Sequence, residues 1–263
     1  MKQNSYGRSW LVLPYAVFLV LFVIFPLLVI IYYGFTDGNG HLSAMNFIHF
    51  FTSGKTIGTL IYSLVVAVVT TIICLLLAYP TAYFLAKGTF SSKHGLLMVF
   101  VLPMWINFTL RITAMKEILS LLEGNLAYHP FFNTILCMVY DFLPFMIMPL
   151  YNTILKLDNS MIEAAQDLGA KRHQTFLRVV LPLTVPGIIA GITMVFLPAM
   201  TNYVVLDMVY NSTYIMGSLI GSYFSAYDWH NGSVISFILL LLIGVFTVLT
   251  NKLSKKLEGG SAS

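Results

Sequence analysis

Long apolar runs alternate with short polar segments along this chain of 263 residues. Six of the runs are long enough to cross the hydrocarbon core of a bilayer, which is about 30 Å thick and takes about 20 helical residues at 1.5 Å each. They lie at residues 10–33, 59–86, 95–113, 131–155, 185–206 and 232–251. The pattern therefore predicts an all-α membrane protein with six transmembrane helices.

The longest polar segment lies between the fourth and fifth runs. Ser160 and Glu163 have the spacing of a capping box, which predicts the start of a helix at this point. Gly169 can adopt the left-handed backbone that ends a helix. A second helical piece is expected from about Lys171, and it should stop before Pro182 because proline interrupts helical hydrogen bonding.

Charge places these segments relative to the membrane. Only 9% of the residues are charged, against about 25% in soluble domains, so the bilayer must cover the apolar runs. With the N-terminus in the cytoplasm, eleven of the fourteen lysines and arginines fall on the inner side, as the positive-inside rule requires. Residues 156–184, called the inner loop below, are then cytoplasmic, as are both termini. Residues 114–122 are predicted to form an amphipathic helix on the outer surface.

The same reasoning divides the chain into three parts. Residues 1–57 hold the first transmembrane helix and an external loop, residues 58–251 form the membrane core, and residues 252–263 form a cytoplasmic tail.

The sequence contains no recognisable catalytic, metal or cofactor motif. The segment "TSGKT" resembles the end of a phosphate-binding loop, but His49 stands where the first glycine is required. Neither an H-E-x-x-H pair nor a G-x-S-x-G elbow is present. Basic residues are not interleaved with aromatic ones, so the net charge of +4 does not indicate nucleic acid. We therefore expect a chain that contacts lipid, binds no metal or cofactor itself and is not an enzyme.

The inner loop contains a motif with a long, defined spacing. Glu-Ala-Ala is followed after three residues by Gly, after nine more by a β-branched residue, and one residue later by Leu-Pro. These positions are Glu163, Ala164, Ala165, Gly169, Val179, Leu181 and Pro182. The motif resembles the EAA signature of ABC importer permeases, with Val179 in place of the usual isoleucine. The wider segments "LPMWINFTLRI", "LPFMIMPLY" and "LPLTVPGIIAG" are similar to PotB-type permeases of spermidine/putrescine importers.

This resemblance implies the type I ABC importer permease fold in the inner membrane of a bacterial cell. It also implies an import complex in which the chain forms the translocation pathway with a homologous, PotC-like permease. Two PotA-like ATPase subunits would bind ATP and Mg, and an extracytoplasmic PotD-like protein would deliver the polyamine.

Within such a complex the helix of the inner loop would dock on the ATPase. Small side chains allow close approach, and the surrounding charges orient the docking partner. The residues expected to couple to the ATPase are Glu163, Ala164, Ala165, Asp167, Gly169, Lys171 and Arg172. Beyond the loop, Gly187 and Gly191 form a G-x-x-x-G face that predicts close helix packing in the bilayer.

Asp141 is the candidate for the substrate route. It lies about ten residues into the fourth run, near the bilayer midplane, where an unpaired carboxylate costs about 3 kcal/mol. Three interpretations remain open: it lines a cation pathway, it pairs with a base on the partner permease, or it lies at a wetted helix end. Arg111 is expected to extend to the outer surface. The other predicted route residues are aromatic or polar: Tyr140, Trp105, Asn202, Tyr203 and Asp207. Ordinary packing or an interfacial position is an equally good interpretation of Trp105, Asn202 and Tyr203.

Two alternative functions remain at this point. Within the same class, the chain could be an ABC permease for another small solute, such as an amino acid, an iron chelate or thiamine. From a different class, it could be a stand-alone channel or secondary transporter, in which the inner loop would be a linker. Co-purification of an ATPase separates the second alternative from an ABC permease.

Overall fold

The computed structural model describes residues 6–88, 93–209 and 214–260. Residues 1–5, with Lys2, and residues 261–263 belong to the predicted N-terminal part and tail and lie outside the described residues. Regular structure in the described ranges consists of helices and one isolated β-bridge between Thr36 and Leu42.

Thirteen α-helices follow one another in these ranges. They are α1 Tyr6–Leu19, α2 Phe25–Gly34, α3 Met45–Thr52, α4 Gly54–Lys87, α5 Lys93–Val101, α6 Phe108–Glu123, α7 Pro130–Leu155, α8 Asn159–Asp167, α9 Arg172–Thr175, α10 Leu181–Thr201, α11 Tyr203–Val209, α12 Met216–Ser225 and α13 Trp229–Gly260. The last helix continues through most of the predicted tail, to Gly260.

Five continuous helical segments among the described residues are long and apolar enough to cross a membrane: Val12–Gly34, Gly54–Lys87, Pro130–Leu155, Arg172–Thr201 and Trp229–Lys256. A sixth crossing is possible only if the bent pair Gly95–Trp105 and Phe108–Glu123 counts as one broken span. The predicted number of spans is therefore reached with this bent pair included.

The prediction of one continuous span over residues 95–113 was wrong. The helix breaks before Asn107, and its two parts meet at an angle of 95°. Pro103 lies in a 3₁₀ turn, and Asn107 Oδ1 accepts a hydrogen bond from the Thr109 N–H at 2.9 Å, so Asn107 caps a new helix. The predicted surface helix at 114–122 is consequently not a separate element, because α6 contains it.

Two of the prolines within long helices follow a wide, π-helical turn. The π-helical turn Val20–Ile24 precedes Pro26, and the π-helical turn Phe176–Val180 precedes Pro182. A proline ring clashes with the carbonyl four residues earlier, and a π turn displaces that carbonyl by adding one residue. The helix therefore continues through Pro182, and the prediction that it stops before this residue was wrong.

The fifth span also ends earlier than residue 206. Helix α10 ends at Thr201, where Asn202 leaves helical geometry while its N–H still donates to the Pro198 carbonyl at 2.8 Å. A separate short helix, α11, then begins at Tyr203.

The chain divides into two compact units. One comprises the described residues within Met1–Gly58 and Leu219–Leu242, and the other comprises those within Thr59–Ser218 and Ile243–Ser263. In the first, the rings of Phe35, Phe47 and Phe237 pack together with centroids 4.7–5.9 Å apart. In the second, α7 is the central helix and packs against α6, α10 and α11. The inner loop and all predicted site residues belong to the second unit.

Candidate functional site

The inner loop begins with a short exposed helix, α8, called the loop helix below. Asp158 Oδ1 accepts a hydrogen bond from the Ser160 N–H at 2.9 Å and caps the helix. This hydrogen bond holds the pKa of the Asp158 carboxyl below its ordinary value, with smaller contributions from the Ser160 hydroxyl and the charge of Lys87. The predicted capping box of Ser160 and Glu163 was wrong, because Asp158 already occupies the N-cap position and Ser160 lies inside the helix.

The loop helix ends as the sequence predicts. Gly169 has a left-handed backbone with φ of +85°. Its N–H donates to the Gln166 carbonyl at 2.8 Å, and the Ala170 N–H donates to the Ala165 carbonyl at 3.0 Å. These two bonds form a Schellman motif, in which glycine accepts the positive φ without steric strain.

The loop helix presents most of its surface to solvent. Leu168 is 90% exposed and Met161 is 48% exposed, although both are apolar. Of the residues predicted to couple to the ATPase, only Ala165 is half-buried, and the exposed ones are Glu163, Ala164, Asp167, Gly169, Lys171 and Arg172. An apolar strip bordered by charges of both signs is typical of a protein-binding surface.

The second part of the inner loop is the beginning of a long helix. The Gln174 Oε1 accepts a hydrogen bond from the Lys171 N–H at 3.0 Å, where this helix starts. From Arg172 the helix runs without interruption to Thr201. The loop is therefore joined rigidly to the span that follows it.

Both parts of the inner loop are attached to α4. The Lys87 Nζ donates to the Leu157 carbonyl at 2.7 Å and to Asn159 Oδ1 at 2.6 Å. Further along the loop, the ring of Phe176 packs edge-on against Tyr79, with centroids 5.6 Å apart. These contacts were not predicted, since the positive-inside rule already explains a lysine at the predicted inner end of a span.

Close packing of α10 against α7 follows the predicted G-x-x-x-G face. A Cβ added at Gly187 would lie 2.5 Å from Thr153 Oγ1 and 3.1 Å from the Pro149 carbonyl oxygen. A Cβ at Gly191 would lie 2.5 Å from the sulfur of Met146. Both glycines therefore bring the two helices into backbone contact.

Asp141 forms an ion pair within its own chain. Its Oδ1 lies 2.5 Å from Nη2 of Arg111, and the two residues are 2% and 6% exposed. The expectation that Arg111 extends to the surface was wrong, and so was the interpretation of Asp141 as a wetted helix end. The structure pairs Asp141 with a base on α6 of its own chain, in place of the base on the partner permease that one interpretation expected. Whether Asp141 contributes to the substrate route stays a prediction.

The other predicted route residues lie on several elements. Tyr140, Trp105, Tyr203 and Asp207 are exposed, and Asn202 is half-buried at the break after α10. Helix α11, which contains Tyr203 and Asp207, packs against both α6 and α7. Among the described residues, no hydrogen bond or ion pair joins these side chains to Asp141.

Comparison with known proteins places the chain among transport proteins. The family described as "Binding-protein-dependent transport system inner membrane component" matches residues 78–259. The chain is 38% identical to the spermidine/putrescine transport system permease protein PotB of Escherichia coli, over 76% of this chain and 80% of the relative. It is 34% identical to PotB of Salmonella typhimurium over 98% and 97% of the two chains. It is 40% identical to PotB of Haemophilus influenzae over 74% and 76%.

Solved structures give the same fold. A chain of a bacterial alginate ABC transporter matches with a TM-score of 0.75 and 14% identity, over 95% of this chain and 96% of that one. A chain of the MetNI methionine ABC transporter matches with a TM-score of 0.59 and 15% identity, over 76% and 95%. The architecture is therefore that of an ABC importer permease.

Proposed function

Since the chain belongs to the family of binding-protein-dependent transport system inner membrane components, we propose that it is the permease subunit of an ATP-driven spermidine/putrescine importer. The observation that carries the proposal is the 34% identity to a PotB permease over 98% of the chain. Like its relatives the chain is a transport subunit and not an enzyme. Membership of this family argues against a stand-alone channel or secondary transporter.

The proposed complex contains partners of defined chemistry. A PotC-like permease completes the translocation pathway, and an extracytoplasmic PotD-like protein delivers the polyamine. Two PotA-like subunits hydrolyse ATP, so that ATP and Mg are bound there and not on this chain. The loop helix supports this arrangement, because its apolar and charged residues are exposed where a second protein can cover them.

Coupling would proceed through the helix that follows the loop. When the ATPase dimer closes around ATP, the docked loop helix moves with it. The helix Arg172–Thr201 is continuous from the inner loop into the fifth span, so displacement of its inner end tilts the segment inside the bilayer. Because Gly187 packs directly against α7, the tilt is passed on to the central helix.

The orientation belongs to the same proposal. With both termini and the inner loop in the cytoplasm, the bend between α5 and α6 faces the outer side. The exposed side chains of Trp105, Tyr140, Tyr203 and Asp207, together with Asn202, would line a route that the second permease completes. Aromatic faces and a carboxylate are suited to ammonium groups.

Uptake by a reconstituted complex tests the function. The chain is co-expressed with the three partner types, purified, and placed in liposomes containing ATP. Labelled spermidine and putrescine are offered with their binding protein, and an amino acid, an iron chelate and thiamine are offered in parallel. We expect co-purification of the ATPase and ATP-dependent uptake of polyamines alone. Uptake of another of these solutes in place of polyamines would overturn the substrate, and absence of the ATPase would overturn the complex.

A further inference from the structure

The start of the loop helix is tied to the inner end of a different span. Lys87 is the last residue of α4, and its Nζ bonds to Leu157 and Asn159 on either side of the cap residue Asp158. We infer that Lys87 is a positioning residue for coupling, which transmits movement of the loop helix to α4. This inference rests on the proposed function, because it assumes that an ATPase moves the loop helix.

The contacts of Lys87 differ from those of a lysine placed only by topology. A lysine that marks the inner side of a membrane usually keeps its ammonium group in water. Lys87 is instead half-buried and directs its ammonium group to two acceptors, at 2.7 Å and 2.6 Å. Hydrogen bonds from a charged donor are roughly twice as strong as neutral ones.

The charges around the contact between Lys87 and the loop helix support its role as a positioning residue. A cation near the C-terminus of a helix is favourable, and the same cation near the N-terminus of a helix is unfavourable. Lys87 ends α4 and contacts the first residue of the loop helix, Asn159. Stabilisation of the loop helix therefore does not explain a lysine at this position. The adjacent Asp158 carboxylate compensates for the unfavourable positive charge of Lys87. The position of Lys87 is therefore better explained by its hydrogen bonds between α4 and the loop helix than by stabilisation of the loop helix.

A separate contact ties the far side of the loop to the same helix. Phe176 packs edge-on against both Tyr79 and Tyr83 of α4, with centroids 5.6 Å and 6.1 Å away. The Tyr79 hydroxyl lies 2.8 Å from the Thr184 hydroxyl. The inner loop is therefore held to α4 near both of its ends. Without the Lys87 ammonium group, the side of the loop that leads into the loop helix would lose its two hydrogen bonds to α4.

Lys87→Met tests the inference, since it keeps an unbranched side chain and removes the ammonium group. Asn159→Ala removes one acceptor from an exposed residue, and Lys87→Arg keeps a charged donor. Lys156→Met is the matched control, because it removes an exposed lysine from the same loop. Each variant is purified in the full complex. Complex yield, basal ATP hydrolysis, and the stimulation of hydrolysis by the polyamine-loaded binding protein are measured.

We expect Lys87→Met and Asn159→Ala to retain the ATPase and its basal rate but to lose stimulation and uptake. The loss should be about tenfold for Asn159→Ala, the factor for one hydrogen bond to a charged group, and larger for Lys87→Met, which removes two. Lys87→Arg should recover part of this loss, and Lys156→Met should behave as the wild type. Normal stimulation of ATP hydrolysis in both Lys87→Met and Asn159→Ala would overturn the inference. Loss of the complex in Lys87→Met together with normal stimulation in Asn159→Ala would also overturn it. Failure of the wild-type chain to bind an ATPase would instead overturn the proposed function.

Discussion

Arg111 and Asp141 pair across two neighbouring helices, with guanidinium and carboxylate atoms 2.5 Å apart and both side chains buried. Arg111 lies about one turn after the sharp bend that precedes α6, and Asp141 lies in the middle of α7. Pairing offsets the cost of removing each charge from water. The ion pair therefore explains how a carboxylate is accommodated inside an apolar span, and it fixes α6 to α7 near the bend.

Removing one member of this pair should destabilise the protein. Asp141→Asn leaves the Arg111 guanidinium buried without its counter-charge. The Nε and Nη1 atoms of Arg111 already have no hydrogen-bond partner among the described residues. We expect a loss of about 3–5 kcal/mol, visible as a lower thermal unfolding temperature of the purified complex and a lower yield. An unchanged unfolding temperature would contradict a structural role.

The double variant Arg111→Met/Asp141→Leu separates stability from transport. Replacing a buried ion pair by apolar residues of similar size is often neutral or stabilising, so the complex should assemble with normal yield. Polyamine uptake by this variant then reports on the route alone. If Asp141 also serves the passing cation, uptake falls although assembly is normal. Normal uptake would confine Asp141 to a structural role.

Because α10 packs closely on α7 at Gly187, valine at this position should destabilise the protein more than valine at Gly244. Gly187→Val places a branched side chain against Thr153 and the Pro149 carbonyl, and such overpacking costs roughly 1–3 kcal/mol or more. Gly244→Val is the control, because a Cβ at Gly244 has no atom within 4 Å among the described residues. The measurement is the thermal unfolding temperature of each variant complex. Equal effects of the two substitutions would show that the close contact does not limit stability.

Features set by short stretches of sequence were predictable. The fourth span was expected at residues 131–155 and is found at Pro130–Leu155, because its length and composition are properties of the segment itself. The left-handed turn at Gly169 was predictable for the same reason. The prediction at Pro182 was wrong, because the residues before this proline form a π-helical turn, which the helix-breaking tendency of proline does not indicate.

Relationships between distant segments were not predictable from one sequence. Arg111 and Asp141 are thirty positions apart, and only the packing of α6 on α7 brings them together. Without this neighbour, the cost of a carboxylate in an apolar helix suggested a pathway or a partner subunit. The tie between Lys87 and Asn159 was missed for the same reason, since the positive-inside rule accounts for a lysine without any contact.

The proposed orientation is tested by labelling single cysteines in intact cells. Cys74 and Cys137 are buried and are first replaced. A cysteine at Lys171 should remain unmodified by a membrane-impermeant thiol reagent, because the proposed orientation places the inner loop in the cytoplasm. A cysteine at Asn39, an exposed residue between the first two spans, should be modified. The reverse pattern would invert the topology and remove the loop helix from the ATPase.

Charge reversal on the loop helix should weaken docking. Glu163 is exposed, so Glu163→Lys alters the surface with little effect on the fold. We expect less ATPase to co-purify and substrate-stimulated ATP hydrolysis to fall. Glu117→Lys makes the same change at an exposed residue of α6, on the predicted outer side, and should leave ATPase binding unchanged. Equal ATPase binding in both variants would argue against docking through Glu163.

Gly169 allows the turn of the inner loop to be tested against a matched turn elsewhere. Gly169 and Gly124 both follow helices, have φ of +85° and +74°, and have no atom within 4 Å of an added Cβ among the described residues. Valine at either position is therefore opposed by backbone strain alone, at a cost of roughly 1–3 kcal/mol. Because Gly169 sets the angle between the loop helix and the helix that begins at Arg172, strain there should also misplace the docking surface. We expect Gly169→Val to lose substrate-stimulated ATP hydrolysis while Gly124→Val, with a similar fall in unfolding temperature, retains it. Full stimulation in Gly169→Val would mean that the geometry of this turn does not control coupling.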